Sequence, residues 1–344
     1  MICPARVILN PPLPLLVTGI AGVGGYNAFR HFHARYPGQV IGIRRADNWP
    51  LSGDGIVPCD MTNDDQLRRL FDQHQFASVL SCEGNCRLKH CELDPAMAWR
   101  INVSTIENLL AAIEGTNTRL VHLSIDLVYS GIRNGAYIET DPVDPVTMYG
   151  KSMAAAESII MDRRPESCIL RISLPMGISF NGHAGAIDWI QHRFQADKPA
   201  TLYFDEIRTP AYTDCLNEVC STVLARPEIH GVYHAGGPVK LSLYQIAQIV
   251  NRVGGYDPNH LMGCYRIEAG PVPPRAGNVS MRSVKLAEAL QFDPFAPWPY
   301  HPEFIPTDPA WHYERPADEN GSPDLLAQVL YRRPNEFDPM PKGP

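Results

Sequence analysis

Short apolar runs alternate with amphipathic stretches along the first half of the chain. The run at 15–18 (LLVT) ends in glycines and reads as a buried parallel strand. Helical spacing follows over 26–36, and Pro37-Gly38 stops it. Runs at 39–43, 56–59, 77–82, 119–124 and 168–172 read as further strands. Between them, 63–74, 95–114 and 149–162 carry helical spacing, the first with Asn63 placed to cap it. This alternation predicts βαβ units and an α/β fold with a doubly wound parallel sheet. After Ile172 the rhythm loosens. Helices are expected at 186–196, 213–225, 242–253 and 283–290, with a short strand at 231–235. The expected organisation is a sheet domain over 1–172, to which later segments return, a smaller lobe over 173–290, and a tail over 291–344.

Composition sharpens this outline. Of 344 residues, 44% are hydrophobic and 19% charged, which suits a sizeable core and excludes a disordered chain. The net charge of −7 argues against a nucleic-acid partner, because duplex binding needs clustered basic charge. No run reaches the roughly 18 apolar residues of a membrane span. Pro11, Pro12 and Pro14 interrupt the apolar N-terminus, so no signal peptide is expected either. Nine scattered cysteines, an odd count, point to reduced thiols in a cytoplasmic protein. Twelve of the 32 prolines fall in 291–344, among Trp298, Tyr300, Phe304, Trp311, Tyr313, Tyr331 and Phe337. A disordered tail would be poorer in aromatics, so this segment is expected to wrap over a surface.

The sharpest chemical signal is TGIAGVGG at 18–25, between the first strand and the first helix. Gly19, Gly22, Val23, Gly24 and Gly25 would let backbone approach a pyrophosphate, with a helix N-terminus offering N–H groups. Strand, loop, helix and second strand in that order indicate a Rossmann-type dinucleotide site rather than an ordinary tight turn. The second strand runs into Arg44-Arg45, where an acidic residue would hold the ribose hydroxyls of NAD(H). Arginine suits a 2′-phosphate, so NADP(H) is expected over NAD(H). Asp60 is placed either to accept from the adenine amino group or to cap the next helix.

Further along stand CELDP at 91–95, INV at 101–103, LSIDLVYSG at 123–131 and YIETDPVDPVTMYGKS at 137–152. RISLPMG at 171–177, GVYHAGG at 231–237 and RAGN followed by KL over 275–286 complete the series. In this order the chain resembles the extended short-chain dehydrogenase/reductase family over about 15–295. The branch is that of the dTDP-4-dehydrorhamnose reductases and the methionine adenosyltransferase β subunit. The resemblance implies a nicotinamide cofactor and a carbonyl-bearing small-molecule substrate such as a nucleotide sugar. It also implies cofactor contacts at Met61, Ser81, Cys82, Ser124, Tyr149 and Leu174. Substrate contacts would fall at Glu83, Lys89, Asp126, Arg208 and Arg275.

Catalysis in that family uses a Ser or Thr hydroxyl, a Tyr that donates a proton, and a Lys four residues on. Tyr149 matches the Tyr, but the Lys position holds Met153 and the hydroxyl position holds Ile125. Lys151 lies about 200° around the helix from Tyr149 and points elsewhere. Ser124 faces the opposite side of its strand from position 125. Without the Lys, Tyr149 returns toward a pKa of about 10 or above, able to donate a proton but not to accept one at neutral pH. Two readings follow. One is an atypical NADP(H)-dependent reductase. The other is a catalytically silent NADP(H)-binding regulatory or sensor subunit, with homo-oligomer formation or a protein partner engaged through the tail.

Cys82, Cys86, His90 and Cys91 lack paired C-x₂-C spacing, and no metal site is expected. Lys89 and His90 are local proton-donor candidates, with solvated surface charge as the plainer account. Asn102 is expected behind the active site, holding a water or a backbone carbonyl, or simply packed. Arg208 and Arg275 suit phosphate recognition or a structural ion pair.

Overall fold

The computed structural model describes residues 10–45, 51–271, 273–315 and 319–331. Its first half runs β1 (Leu15–Val17), α1 (Val23–Arg35), β2 (Val40–Arg44), β3 (Ile56–Pro58), α2 (Asp64–His74) and β4 (Ser78–Ser81). Then come α3 (Leu88–Leu93), α4 (Pro95–Trp99), a π-helical turn (Arg100–Ser104), α5 (Thr105–Ala112), β5 (Arg119–Ile125), α6 (Met148–Arg163) and β6 (Cys168–Ile172). The second half holds β7 (Pro175–Met176), α7 (Asp188–Gln195), β8 (Ala200–Tyr203), β9 (Ile207–Arg208), β10 (Ala211–Tyr212), α8 (Thr213–Ala225) and β11 (Gly231–Ala235). It ends with β12 (Leu241–Ser242), α9 (Leu243–Val253), β13 (Leu261–Cys264), α10 (Val284–Leu290) and α11 (Pro323–Leu330).

Seven strands form one parallel sheet in the order β11-β6-β5-β4-β1-β2-β3. The period-2 alternation of strands explains its two-sided burial. Leu15, Val17, Val121 and Leu123 join the core on one face, and Leu16 and Leu120 join the core on the other. The expected doubly wound sheet is therefore present. The strand order reverses between β1 and β4, so a crevice opens at the carboxyl ends of those strands.

Helix ends follow local chemistry. Asn63 caps α2, Thr147 caps α6, and Ser242 with Gln245 forms a capping box on α9. Helix α1 begins three residues before the expected position, because its first turn is built from the glycine loop itself. The single helix expected over 95–114 is instead two helices joined by the π turn around Asn102. Periodicity does not register one extra residue in a helical turn.

The described part of the tail lies against the second half. Trp298 is fully buried and Trp311 nearly so. Arg252 on α9 stacks on Trp311 at 4.1 Å and pairs with Glu319. Helix α11, capped by Ser322, packs on α9.

Candidate active site

The site is assembled from strand ends. Gly19 has φ +63°, and a Cβ there would sit 2.4 Å from the Cys82 carbonyl oxygen, so only glycine fits. At Gly25 a Cβ would lie 2.4 Å from the Gly19 oxygen, which is how α1 seats so close to β1. Gly22 and Gly24 meet nothing of their own chain closer than 3.5 Å. Their bareness leaves a cradle over the α1 N-terminus, where Gly22 provides no side-chain cap. The first-turn N–H groups of α1 have no intrahelical partner, and their dipole favours an anion. These residues fit a dinucleotide pyrophosphate.

Thr18 bolts the crevice together. Its Oγ1 accepts the N–H groups of Cys82 (3.0 Å) and Glu83 (3.1 Å), tying the exit of β4 to the glycine loop. At the exit of β2, Arg44 Nη1 donates to the Arg45 carbonyl at 2.8 Å and its Nε to that of Leu51. Arg44 is thus spent on its own loop, and Arg45 is the arginine electrostatically coupled to the crevice through Glu83. Asp60 accepts from the Thr62 N–H (2.9 Å) and hydroxyl (2.8 Å), while Asn63 caps α2. The capping role open to Asp60 therefore belongs to Asn63, and Asp60 shapes the turn before it. Met61 turns its side chain into the core, and its carbonyl accepts from Asn108 at 2.9 Å.

Several expected cofactor groups face inward. The Ser81 hydroxyl meets His122 Nδ1 at 3.1 Å. The Ser124 hydroxyl donates to Glu157, whose carboxylate also receives Arg171 Nη2 at 2.6 Å. Both serines are buried, so their hydroxyls do not reach the crevice. Cys82 and Leu174 are half-buried beside it, and burial pushes the Cys82 thiol well up.

Tyr149 lies in the first turn of α6, whose cap Thr147 accepts the Gly150 N–H at 2.9 Å. Glu92 accepts the Met148 N–H at 2.6 Å and fixes the same helix end. Tyr149 is buried, and its phenol is pushed far above the ordinary tyrosine value. Burial is the main cause; Cys86 and Asp126 add to it, and Arg208 opposes it. Met153 and Ile125 are buried in the same apolar cluster, so no cation stands at the position four residues on. Lys151 is exposed, as its helical phase requires. The phenol can donate a proton and is a poor acceptor.

Asn102 in the π turn holds the site from behind. Its Oδ1 accepts the Asn85 N–H at 2.7 Å, and its Nδ2 donates to Ser152 Oγ at 2.8 Å. The backbone group it holds is an N–H, not the carbonyl expected for it. Lys89 and His90 are exposed on α3, whereas Cys91 is buried.

The residues expected to touch substrate divide. Glu83 lies against the glycine loop, its main-chain nitrogen packed on Gly19. Asp126 and Arg208 pair with each other, Nε–Oδ2 2.6 Å and Nη2–Oδ1 2.5 Å, both buried. Ser173 donates to Asp126 at 2.5 Å. Glu206, also buried, bridges Arg208 (3.7 Å) and Arg275 (3.6 Å). Arg275 stacks on Tyr203 at 4.8 Å. This is an internal ion network adjoining the site, the structural alternative open to both arginines. Among the described residues, no three His, Cys, Asp or Glu side chains converge to hold a metal.

Thr18, Glu92 and Glu157 also hold the site together, in roles that no motif assigns them. Thr18 carried one usable signal, a hydroxyl at the exit of an apolar strand. Glu157 carried another, an acid eight residues from Tyr149 on the same helix face.

Known proteins resemble this chain in sequence and in fold. A dTDP-4-dehydrorhamnose reductase of Aggregatibacter actinomycetemcomitans is 26% identical over 196 residues, 55% of this chain and 65% of that protein. The methionine adenosyltransferase 2 subunit beta of Danio rerio is 23% identical over 291 residues, 81% of this chain and 85% of that one. A dTDP-4-dehydrorhamnose reductase of Bacillus anthracis, solved in complex with NADP, superposes with a TM-score of 0.69 at 18% identity. That superposition covers 83% of this chain and 95% of the other. The UDP-glucose 4-epimerase of Thermotoga maritima gives 0.71 at 17% identity, over 81% and 93% of the two chains. The structural likeness establishes a shared fold, and the resemblance read from the motifs holds. With residues 13–301 matched, the chain belongs to the RmlD substrate binding domain family.

Proposed function

We propose that the protein binds NADP(H) in the β1/β4 crevice and reduces the carbonyl of a small molecule, a nucleotide-linked sugar being the class its relatives' names suggest. One observation carries the reading: the glycine cradle that opens α1 and the buried tyrosine phenol that opens α6 both follow the carboxyl ends of inner strands, β1 and β5, of one parallel sheet. A nicotinamide cofactor bound there would supply hydride for the carbonyl carbon. The chain's own part is to seat the dinucleotide on the α1 N-terminus, present Arg45 toward a 2′-phosphate, and pass the Tyr149 proton to the carbonyl oxygen. Tyr149 then recovers a proton from solvent, which its raised pKa favours. Ile125 and Met153 make this a slow reductase, because general acid–base assistance is worth about 10²–10⁴ in rate.

The same replacements support a second reading, a silent NADP(H)-binding subunit in a cytoplasmic assembly. The described part of the tail is engaged with its own lobe, so any partner contact there uses its outer face. The test is binding and turnover by the full chain. Tighter binding of NADPH than NADH, with NADPH consumption in the presence of dTDP-linked 4-keto sugars that Tyr149→Phe abolishes, supports the reductase. Binding without turnover selects the silent subunit. Failure to bind either dinucleotide overturns both.

A further inference from the structure

Glu83 places an acid at the strand-order reversal. Its main chain is clamped by Thr18 Oγ1, and a Cβ on Gly19 would sit 2.7 Å from the Glu83 nitrogen. Glu83 thus stands beside the Gly19 amide, whose N–H favours its charged form, within the loop that cradles the pyrophosphate. The charged and titratable groups facing it come from three strand exits: Arg45 after β2, Cys59 and Asp60 after β3, and its neighbour Cys82 after β4. Among the described residues, two carboxylates against one guanidinium leave this corner acidic before any ligand arrives. A pyrophosphate brings further negative charge to the same place, and like charges at a shared site drive proton uptake.

We propose that Glu83 is a proton-linked determinant of dinucleotide affinity, the dinucleotide binding with the Glu83 carboxyl protonated and one proton drawn from solvent. This rests on the dinucleotide reading of the crevice. Burial lifts the free carboxyl to about 7, Arg45 pulls it down, Asp60 pushes it up and the Gly19 amide favours the charged form. Bound phosphate raises it further. Binding is then strongest below about pH 7 and weakens about tenfold for each unit well above it. Ionisation of a 2′-phosphate, near pH 6, acts in the opposite direction and cancels when two proteins are compared on one ligand.

The experiment is calorimetric titration of the full chain with NADP⁺ between about pH 6 and 9, in buffers of different ionisation enthalpy. Relative to Glu83→Gln, wild type should weaken about tenfold from pH 6 to 8, with its proton uptake approaching one per site at pH 8. Glu83→Gln should keep the pH 6 affinity and lose the dependence. Parallel curves for the two proteins, or no proton uptake by wild type at pH 8, overturn the proposal. The uptake measurement needs no variant, so a folding defect in Glu83→Gln does not blunt it. If neither NADP⁺ nor NAD⁺ binds at any pH, the dinucleotide reading falls and takes this one with it.

Discussion

Arg208→Met tests whether the buried arginine serves the fold. The guanidinium holds Asp126 through two bonds of 2.6 and 2.5 Å, with Asp126 fully buried and Arg208 4% exposed. Hydrogen bonds to charged groups are worth about 1.5–3 kcal/mol each, so two give roughly 3–6. Removing one partner of a buried pair independently costs about 3–5 kcal/mol, because the other charge is stranded. Ser173 still serves Asp126, and burial already lifts Glu206 above the ordinary carboxylate range, so Glu206 takes up a proton readily. Both effects favour the lower part of the range, about 3–4 kcal/mol. Urea unfolding reads this directly: with an m-value of about 3 kcal/mol/M, the midpoint falls by roughly 1 M at unchanged m. Asp126→Asn combined with Arg208→Met should recover part of the loss, since the stranded charge is gone. NADPH affinity should stay within about twofold. An Arg208→Met protein within 1 kcal/mol of wild type would refute the structural assignment, and a selective loss of substrate binding would return Arg208 to the ligand.

Further outcomes follow from the site. Met153→Lys with Ile125→Thr should raise carbonyl-dependent NADPH oxidation by about 10²–10⁴ if the pocket is a weakened reductase site; an unchanged rate at intact cofactor affinity contradicts this. Arg45→Ala should cost about tenfold or more in NADPH affinity and leave NADH nearly unchanged, as paired fluorescence titrations would show. Buried His122 is lowered to about 4 by desolvation, below its ordinary 6.5. It stays neutral in the fold, so its stabilisation is complete above about pH 6.5 and is lost as pH falls toward 4. The loss is about 2 kcal/mol by pH 5. Urea midpoints at pH 7.5 and 5 should therefore converge in His122→Gln, and equal acid sensitivity in both proteins would contradict the assignment.

What was legible in the chain follows from the range of the interactions. The β1–loop–α1 unit is local: an apolar run, glycines at fixed spacing and a helix stop lie within 24 residues, so residue order alone exposes it. Met153 and Ile125, at the positions where the resemblance expects a Lys and a hydroxyl, are equally local to read, since both lie in regular elements, α6 and the end of β5. The Asp126–Arg208 pair spans 82 positions, and no periodic signal marks such a partnership. Glu83 was legible as a candidate substrate contact, but its place beside Gly19 depends on Thr18, 65 positions away. The small two-residue strands of the second half carry too few residues for an alternation to register.

The closure of α11 on α9 bears on how the polypeptide is made. Ser322 donates its N–H to the Val253 carbonyl at 2.9 Å, and Leu326 and Leu330 fill space that would otherwise stand open. On the ribosome, strands β1 to β6 therefore wait for α8 and β11 before their layers close, and the face of α9 waits longer still, for residues near 330. Any nascent chain stalled before that point exposes a raw apolar seam to chaperones and proteases.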